Sequence, residues 1–238
     1  MQADDLLARL AAEPGRSAIL LDVDGVLAPI VDDPAAAAVP PETRAELERL
    51  RRRYGLLACI SGRAGDDVRR VVGLGDVVAV GEHGLELVPE AADWRGRLDA
   101  FLATVAWDDV ERKALTVTLH YRRHPDEAEA LHVLADVAAR AREQGLVPRF
   151  GRKVLELRPP LEANKGTAVA HLLARHGLHR ALYAGDDTTD LDAFRALAGL
   201  EVAVRVAVAS AEGPPELREA ADLVVDGPAE MLELLRSL

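Results

Sequence analysis

The sequence predicts an α/β protein with a mostly parallel sheet, interrupted by a smaller α+β segment. Three observations carry that expectation. Short apolar runs rich in Leu, Val and Ala alternate with charged amphipathic stretches of helical length. Three of the runs end directly in polar or glycine-bearing loops, Asp22-Val-Asp-Gly, Ser61-Gly-Arg and Gly185-Asp-Asp-Thr-Thr-Asp. Between about residues 89 and 160 the texture changes to alternating strands and longer helices.

In order along the chain, residues 18–21, 56–60, 77–80, 181–184 and 202–208 have the composition of buried strands. Residues 41–53, 65–72, 165–176, 190–197 and 228–235 read as the helices that separate them. Strands connected through helices build βαβ units, so the loops at the strand ends should gather at one edge of the sheet. In the middle segment, 94–105 and 126–144 read as helices, and 115–121 alternates as Leu-Thr-Val-Thr-Leu-His-Tyr. That alternation marks a half-buried antiparallel strand, and two further short strands are expected at 147–150 and 154–157. Pro159-Pro160 closes the segment. The expected domains are therefore 1–88 with 160–238 as a core, and 89–159 as an α+β insertion.

Composition narrows the function. Of 238 residues 49% are apolar but only 3% aromatic, so the core is aliphatic. The formal charge of −11 disfavours broad binding of a nucleic-acid backbone, and an anionic substrate would need local cations. Cys59 is the only cysteine, which excludes an intramolecular disulfide, and its apolar neighbours make it a small core residue. The N-terminal stretch Met-Gln-Ala-Asp-Asp-Leu-Leu is acidic and amphipathic without a signal-peptide layout. No apolar stretch approaches the roughly 18–20 residues of a membrane span. The expectation is a cytoplasmic monomer with neither nucleic-acid nor membrane partners.

Four constellations carry chemistry. Asp22-x-Asp24-Gly closes the first strand; a calcium loop is excluded because Val26 occupies the next alternate position. Alone, this pair fits a turn as well as a catalytic dyad. Asp186, Asp187 and Asp190 crowd three carboxylates into five residues after another strand, and a divalent cation with hard oxygen ligands would relieve their repulsion. The two clusters together could share one ion, which suits Mg²⁺. Ser61-Gly62-Arg63 offers a hydroxyl and backbone N–H groups after a third strand. Lys165 opens a helix behind a candidate N-cap, Asn164, against the helix dipole, so an anion such as phosphate is expected there. A solvated surface lysine is the alternative for Lys165 taken singly.

In this order, Asp22-x-Asp-Gly-Val, Ser61, Lys165 and Gly-Asp186-Asp-x-Thr-Asp190 resemble the four motifs of the haloacid dehalogenase superfamily of phosphatases. The insertion between the second and third motifs is similar to the superfamily's type C2 cap, implying a Rossmann-like core with a cap domain. The resemblance narrows to the trehalose-6-phosphate phosphatases. It rests on Asp-x-Asp-Gly-x-Leu-Ala-Pro-Ile, Ser-Gly-Arg, Gly81-x-His83-Gly84-x-Glu86, Glu111-x-Lys113, His120-Tyr121-Arg122, Gly151-Arg-Lys-Val-Leu-Glu156-x-Arg-Pro and Gly-Asp-Asp-Thr-Thr-Asp-x-Asp-Ala-Phe. Val26 departs from the family's usual Thr, and Arg152 stands where many bacterial members carry Lys.

The resemblance implies a small-molecule sugar phosphate as partner and Mg²⁺ as cofactor. It makes Asp22 the nucleophile and Asp24 the acid and base. Asp22, the Asp24 carbonyl and Asp186 would hold the metal, with Asp187 and Asp190 behind them. Ser61, Gly62 and Lys165 would bind the phosphoryl group. Arg63, His83, Glu86, Glu111, Lys113, Arg152 and Glu156 are the implied substrate contacts, although structural roles for His83 and Glu86 are equally open. The rival readings are a phosphatase for another sugar phosphate, a phosphosugar mutase and a non-catalytic sugar-phosphate sensor. A sensor should lack a motif aspartate, and none is missing.

Overall fold

A computed structural model describes residues 3–31, 33–151, 153–210 and 213–238. The chain divides into two compact units, Met1–Gly84 with Ala163–Leu238, and Leu85–Glu162. The expected insertion, 89–159, has its edges a few residues inside the second unit.

The first unit begins with α1 (Ala3–Ala12), β1 (Ala18–Leu21), α2 (Pro41–Arg53), β2 (Leu56–Ile60), α3 (Gly65–Val72) and β3 (Val78–Val80). The second unit contributes α4 (Arg95–Leu102), β4 (Val110–Arg112), β5 (Val117–His120), α5 (Glu127–Glu143), β6 (Val147–Gly151) and β7 (Val154–Arg158). The chain then returns to the first unit through α6 (Lys165–His176), β8 (Arg180–Gly185), α7 (Asp190–Ala196), β9 (Val202–Ala209), α8 (Pro215–Ala220), β10 (Leu223–Asp226) and α9 (Gly227–Ser237).

The first unit is built on a six-stranded sheet of order β10-β9-β8-β1-β2-β3, and every pairing in it is parallel. Helices cover both faces, which is why the central strands read as unbroken apolar runs rather than alternating ones. Ile19, Leu21, Leu57, Leu182 and Val204 pack on one face with Leu10, Leu47, Val68 and Met231 from α1, α2, α3 and α9. Tyr183 points the other way, and its ring meets Phe194 of α7 edge-on at 6.1 Å. From β1 the chain steps outward through β2 and β3, then resumes on the other side at β8. The strand order therefore reverses between β1 and β8, the position where parallel α/β sheets bind ligands.

The second unit is a four-stranded antiparallel sheet of order β4-β5-β7-β6. One face carries Val117, Leu119, Leu155 and Leu157 against Leu98 and Phe101 of α4 and Leu134 and Val137 of α5. The strand expected at 115–121 narrows to β5, and the helix expected at 94–105 to α4 behind a 3-10 turn over Pro89–Trp94. The sequence reading took the N-terminal stretch of α1 only as acidic and amphipathic, and it passed over three short elements, β4, α8 and β10. Each is too short to show periodicity, and β10 is an edge strand with Val224 47% exposed.

Candidate active site

β1 and β8 lie side by side with Leu21 opposite Ala184, so Asp22 and Asp186 emerge from neighbouring strand ends at the reversal point. The Asp22 N–H extends the ladder by one bond, donating to Ala184 O at 2.9 Å. Gly25 then turns the chain with φ +76°, and any Cβ on it would collide with the Asp186 carboxylate. Only a glycine gives both the positive φ and the close approach of the two acidic loops. Gly185 is held to glycine in the same way, because a Cβ there would run into the side chain of Asp190.

Asp190 is the hub of the site. It has no exposed surface, and each of its oxygens accepts two hydrogen bonds. Oδ1 receives Lys165 Nζ and Tyr183 Oη, each at 2.7 Å. Oδ2 receives the backbone N–H groups of Asp186 at 3.0 Å and Asp187 at 2.9 Å. Asp190, at the start of α7, thus folds back and fixes the loop that presents Asp186. Lys165 is 2% exposed and also pairs with Asp22 Oδ2 at 2.7 Å. Asn164 does cap α6, through a reciprocal box with Thr167. The anion that answers Lys165 at this helix start is a pair of carboxylates of the protein itself.

Burial sets the protonation behaviour. It pushes the Asp22 carboxyl well up, and the nearby charges of Asp190 and Asp186 add to this against the opposing pull of Lys165. Burial works against the Lys165 ammonium, but Asp190 and Asp22 outweigh it and hold the pKa above its ordinary value. Asp186 is pushed up to about 7, first by burial and then by Asp190, with Asp187 and Asp24 contributing. Among the described residues no hydrogen-bond donor reaches the Asp186 carboxylate.

Ligand oxygens of Asp22, Asp186 and Asp190 all lie within 4.8 Å of one another. The donor set is carboxylate oxygen only, which fits a hard divalent cation. Each Asp190 oxygen already accepts two hydrogen bonds, whereas the Asp22 oxygens accept one each, from Val23 N and from Lys165 Nζ, both at 2.7 Å, so Asp22 and Asp186 are the carboxylates with capacity for the ion. The Asp24 carboxylate is occupied elsewhere: Arg63 Nε and Nη2 donate to its two oxygens, both at 2.7 Å. Asp187 is exposed, and it is its backbone N–H that serves the site.

The second motif sits on the adjacent strand end. Ser61 is buried after β2, its N–H donating to Val80 O at 3.0 Å and its Oγ accepting from Arg63 N at 3.2 Å. His83 lies over Gly62, so closely that a Cβ on Gly62 would strike its ring. Glu82 and His83 both hold left-handed backbones, φ +49° and +55°, and their N–H groups donate to Arg63 O and Ser61 O. Strain of this kind persists where the surroundings fix it, often beside functional loops.

Within the second unit, the register places Glu111, Thr118, Glu156 and Arg149 in one row across the sheet, on the face opposite the apolar core. His120 Nε2 lies 2.9 Å from Glu111 Oε2, and Lys113 Nζ 3.9 Å from Glu111 Oε1. Glu86 is exposed at the start of this unit. Arg152 lies outside the described residues. Sequence reasoning overlooked Tyr183 and Asp67, which holds the far side of Arg63. A tyrosine inside an otherwise aliphatic buried run is the signal for Tyr183, since a buried hydroxyl needs a partner. Asp67 reads in sequence as an ordinary acidic residue in a first helical turn.

The trehalose-phosphatase family model matches residues 20–109 and 98–228. The chain belongs to the trehalose-phosphatase family. It is 34% identical over 243 residues to the trehalose-phosphate phosphatase of Mycobacterium avium, covering 93% of this chain and 61% of that one. It thus spans under two thirds of that relative's length. Against the probable trehalose-phosphate phosphatase of Sinorhizobium fredii the identity is 33%, over 88% of this chain and 85% of the other. Among solved structures, the C-terminal domain of C. albicans trehalose-6-phosphate phosphatase matches with TM-score 0.72 and 25% identity, covering 99% and 96% of the two chains. The fold is haloacid dehalogenase-like. Among the described residues no helix is long and apolar enough to cross a membrane.

Proposed function

We propose that this trehalose-phosphatase family member hydrolyses trehalose 6-phosphate to trehalose and inorganic phosphate, with Mg²⁺, through an aspartyl-phosphate on Asp22. The carrying observation is the buried cluster of Asp22, Lys165, Asp190 and Asp186 at the ends of β1 and β8. An Asp22 oxygen attacks phosphorus as the bond from phosphorus to the sugar oxygen breaks, and Asp24 gives that oxygen its proton. Asp24 then takes a proton from the water that attacks the acyl phosphate, releasing phosphate and restoring Asp22. Lys165 keeps Asp22 oriented, and together with Ser61 and the N–H groups around Gly62 it lies where phosphoryl charge develops.

Asp22 and Asp186, with the Asp24 carbonyl, would hold the cation. When bound, Mg²⁺ supplies the positive charge that offsets a dianionic ester among so many carboxylates. Glu111, Lys113 and Glu156, on the polar face of the second unit's sheet, contribute the recognition of sugar hydroxyls, with Arg152, His83 and Glu86 as further contacts by family resemblance. The reading also takes the chain as a cytoplasmic monomer; the cytoplasmic part is in keeping with its single cysteine, a buried thiol that burial pushes up to about 12. The direct test is phosphate release from a panel of sugar phosphates in Mg²⁺ and in EDTA, for the wild type and Asp22→Asn. Trehalose 6-phosphate should be preferred, and the variant inactive. Substantial turnover by Asp22→Asn would remove the nucleophile from this scheme, and preference for another sugar phosphate would remove the substrate.

A further inference from the structure

Arg63 follows Ser61-Gly62 in the second motif, and its resemblance-based role is contact with substrate. Its geometry points elsewhere. The guanidinium is only 13% exposed, and each of its three nitrogens donates a hydrogen bond. Nε and Nη2 make two parallel 2.7 Å bonds to the oxygens of Asp24. Nη1 donates to Asp67 Oδ2 at 2.7 Å, on the first turn of α3, and to Pro34 O at 3.0 Å. The backbone of Arg63 is fixed as well: its N–H donates to Ser61 Oγ, and its carbonyl accepts from Glu82 at 2.8 Å, in the strained turn after β3. Arg63 therefore joins the loops that follow β1, β2 and β3 and is itself immobilised at both ends.

A carboxylate has two side-chain torsions, and one 36% exposed, as Asp24 is, has room to sample several of their combinations. Two parallel bonds from a planar fork fix both torsions at once, which a single bond or a lysine would not do. We propose that Arg63 is a positioning residue that sets the orientation of the Asp24 carboxyl for proton transfer to the departing sugar oxygen, with Asp67 as its anchor on α3. The inference rests on the reading of Asp24 as proton donor given above. It separates Arg63 from the groups that recognise the sugar.

Leaving-group chemistry provides the test. A sugar alkoxide needs a proton as it departs, whereas p-nitrophenolate does not. The first step is isolated by the pre-steady-state release of trehalose or p-nitrophenol from the two phosphate esters, with the full chain in saturating Mg²⁺. Arg63→Gln should slow trehalose release by about tenfold to a hundredfold, leave p-nitrophenol release within about twofold, and change the KM for trehalose 6-phosphate by less than about threefold. Asp67→Asn, which keeps Arg63 but loosens its anchor, should show the same selectivity at smaller size, and it decides the matter if Arg63→Gln does not fold. A raised KM for the sugar phosphate with an unchanged first step would make Arg63 a sugar contact and overturn the proposal. Equal losses with both esters would overturn it too. Asp24→Asn tests the underlying reading separately: if that variant releases trehalose at the wild-type rate, Asp24 is not the donor, whatever Arg63 does.

Discussion

Replacing Asp190 by Asn changes one atom and one charge at a position with no exposed surface. The carboxylate accepts from Lys165 and Tyr183 on one oxygen and from the Asp186 and Asp187 N–H groups on the other. An amide has one acceptor end. Whichever way it turns, its NH₂ faces two donors, leaving a buried pair of hydrogen-bonding groups opposed. Each unsatisfied buried donor costs about 1–3 kcal/mol, and breaking a buried ion pair about 3–5 kcal/mol. Lys165 retains Asp22, so the expected loss falls near the lower end, about 3 kcal/mol, or roughly 6–12 °C of melting temperature for a domain of this size.

Urea unfolding of wild type and Asp190→Asn in EDTA measures this directly, provided the denaturant slopes agree. Measurement without divalent cations matters, because it separates an internal brace from a ligand. A residue whose chief role is to hold the metal would leave the metal-free protein's stability nearly unchanged and lose only the increment that Mg²⁺ provides. A loss below about 1 kcal/mol in EDTA would therefore refute the bracing role, since a single buried unsatisfied donor already costs that much. Tyr183→Phe removes one of the four donors and should cost less, about 1–2 kcal/mol. Because the two side chains share one bond, the double variant should lose less than the sum of the single losses.

Two other outcomes follow from the site and from the second unit's sheet. Asp186 holds its proton to about pH 7 in the metal-free fold but only to about 4 when unfolded, so between those values the folded chain binds more protons. The metal-free protein should accordingly lose stability as pH rises through that window, and the rise in melting temperature on adding Mg²⁺ should be larger at pH 7.5 than at pH 5.5. A Mg²⁺ increment independent of pH would show that proton and metal do not compete at Asp186. Glu111→Ala and Lys113→Ala should raise the KM for trehalose 6-phosphate by about tenfold while changing p-nitrophenyl phosphate hydrolysis by less than about twofold; equal effects on both esters in steady-state assays would dissociate this sheet face from the sugar.

Much of this arrangement was legible in the sequence because its signals are local. An apolar run followed by Asp-x-Asp-Gly states both a strand and the loop at its end, and the same holds for the run before Gly185. Burial on both faces suppresses alternation, so β1, β2 and β8 were readable, whereas β10, half-exposed at the sheet edge, carried no comparable pattern. Asn164 marks the start of α6 as a candidate N-cap, with Lys165 just inside it, and the structure adds the reciprocal bond from Thr167. What the sequence could not state is which side chain a given charge meets. Lys165 reads as a phosphate binder, and nothing in the sequence states that Asp22 and Asp190 also lie 2.7 Å from it. Arg63 reads as a substrate contact, and nothing in the sequence states that Asp24 and Asp67 lie on either side of it. Arg63 and Asp67 are only four residues apart, but the pairings of Lys165 with Asp190 and Asp22 and of Arg63 with Asp24 span 25, 143 and 39 positions, and only the parallel order of the sheet brings those together.

That redistribution of partners has an electrostatic consequence. Asp22, Asp24, Asp186, Asp187 and Asp190 lie in the loops after β1 and β8 or at the start of α7, and the two cations that pair with them among the described residues are held by carboxylates, Lys165 by Asp22 and Asp190, Arg63 by Asp24 and Asp67. The site as the chain alone forms it is therefore net negative and should repel a phosphate dianion. One like-charge contact at about 4 Å, at the effective dielectric of a partly buried site, costs on the order of 4 kcal/mol, enough to weaken binding roughly a thousandfold. Inorganic phosphate titrated into the protein in EDTA should give no measurable heat, and Mg²⁺ should restore binding. Linkage requires the converse, that phosphate tighten Mg²⁺ binding by the same factor. If phosphate binds equally well with and without the cation, then Lys165 must release one of its carboxylates to meet the anion. The buried triad would then be a movable latch rather than a fixed scaffold.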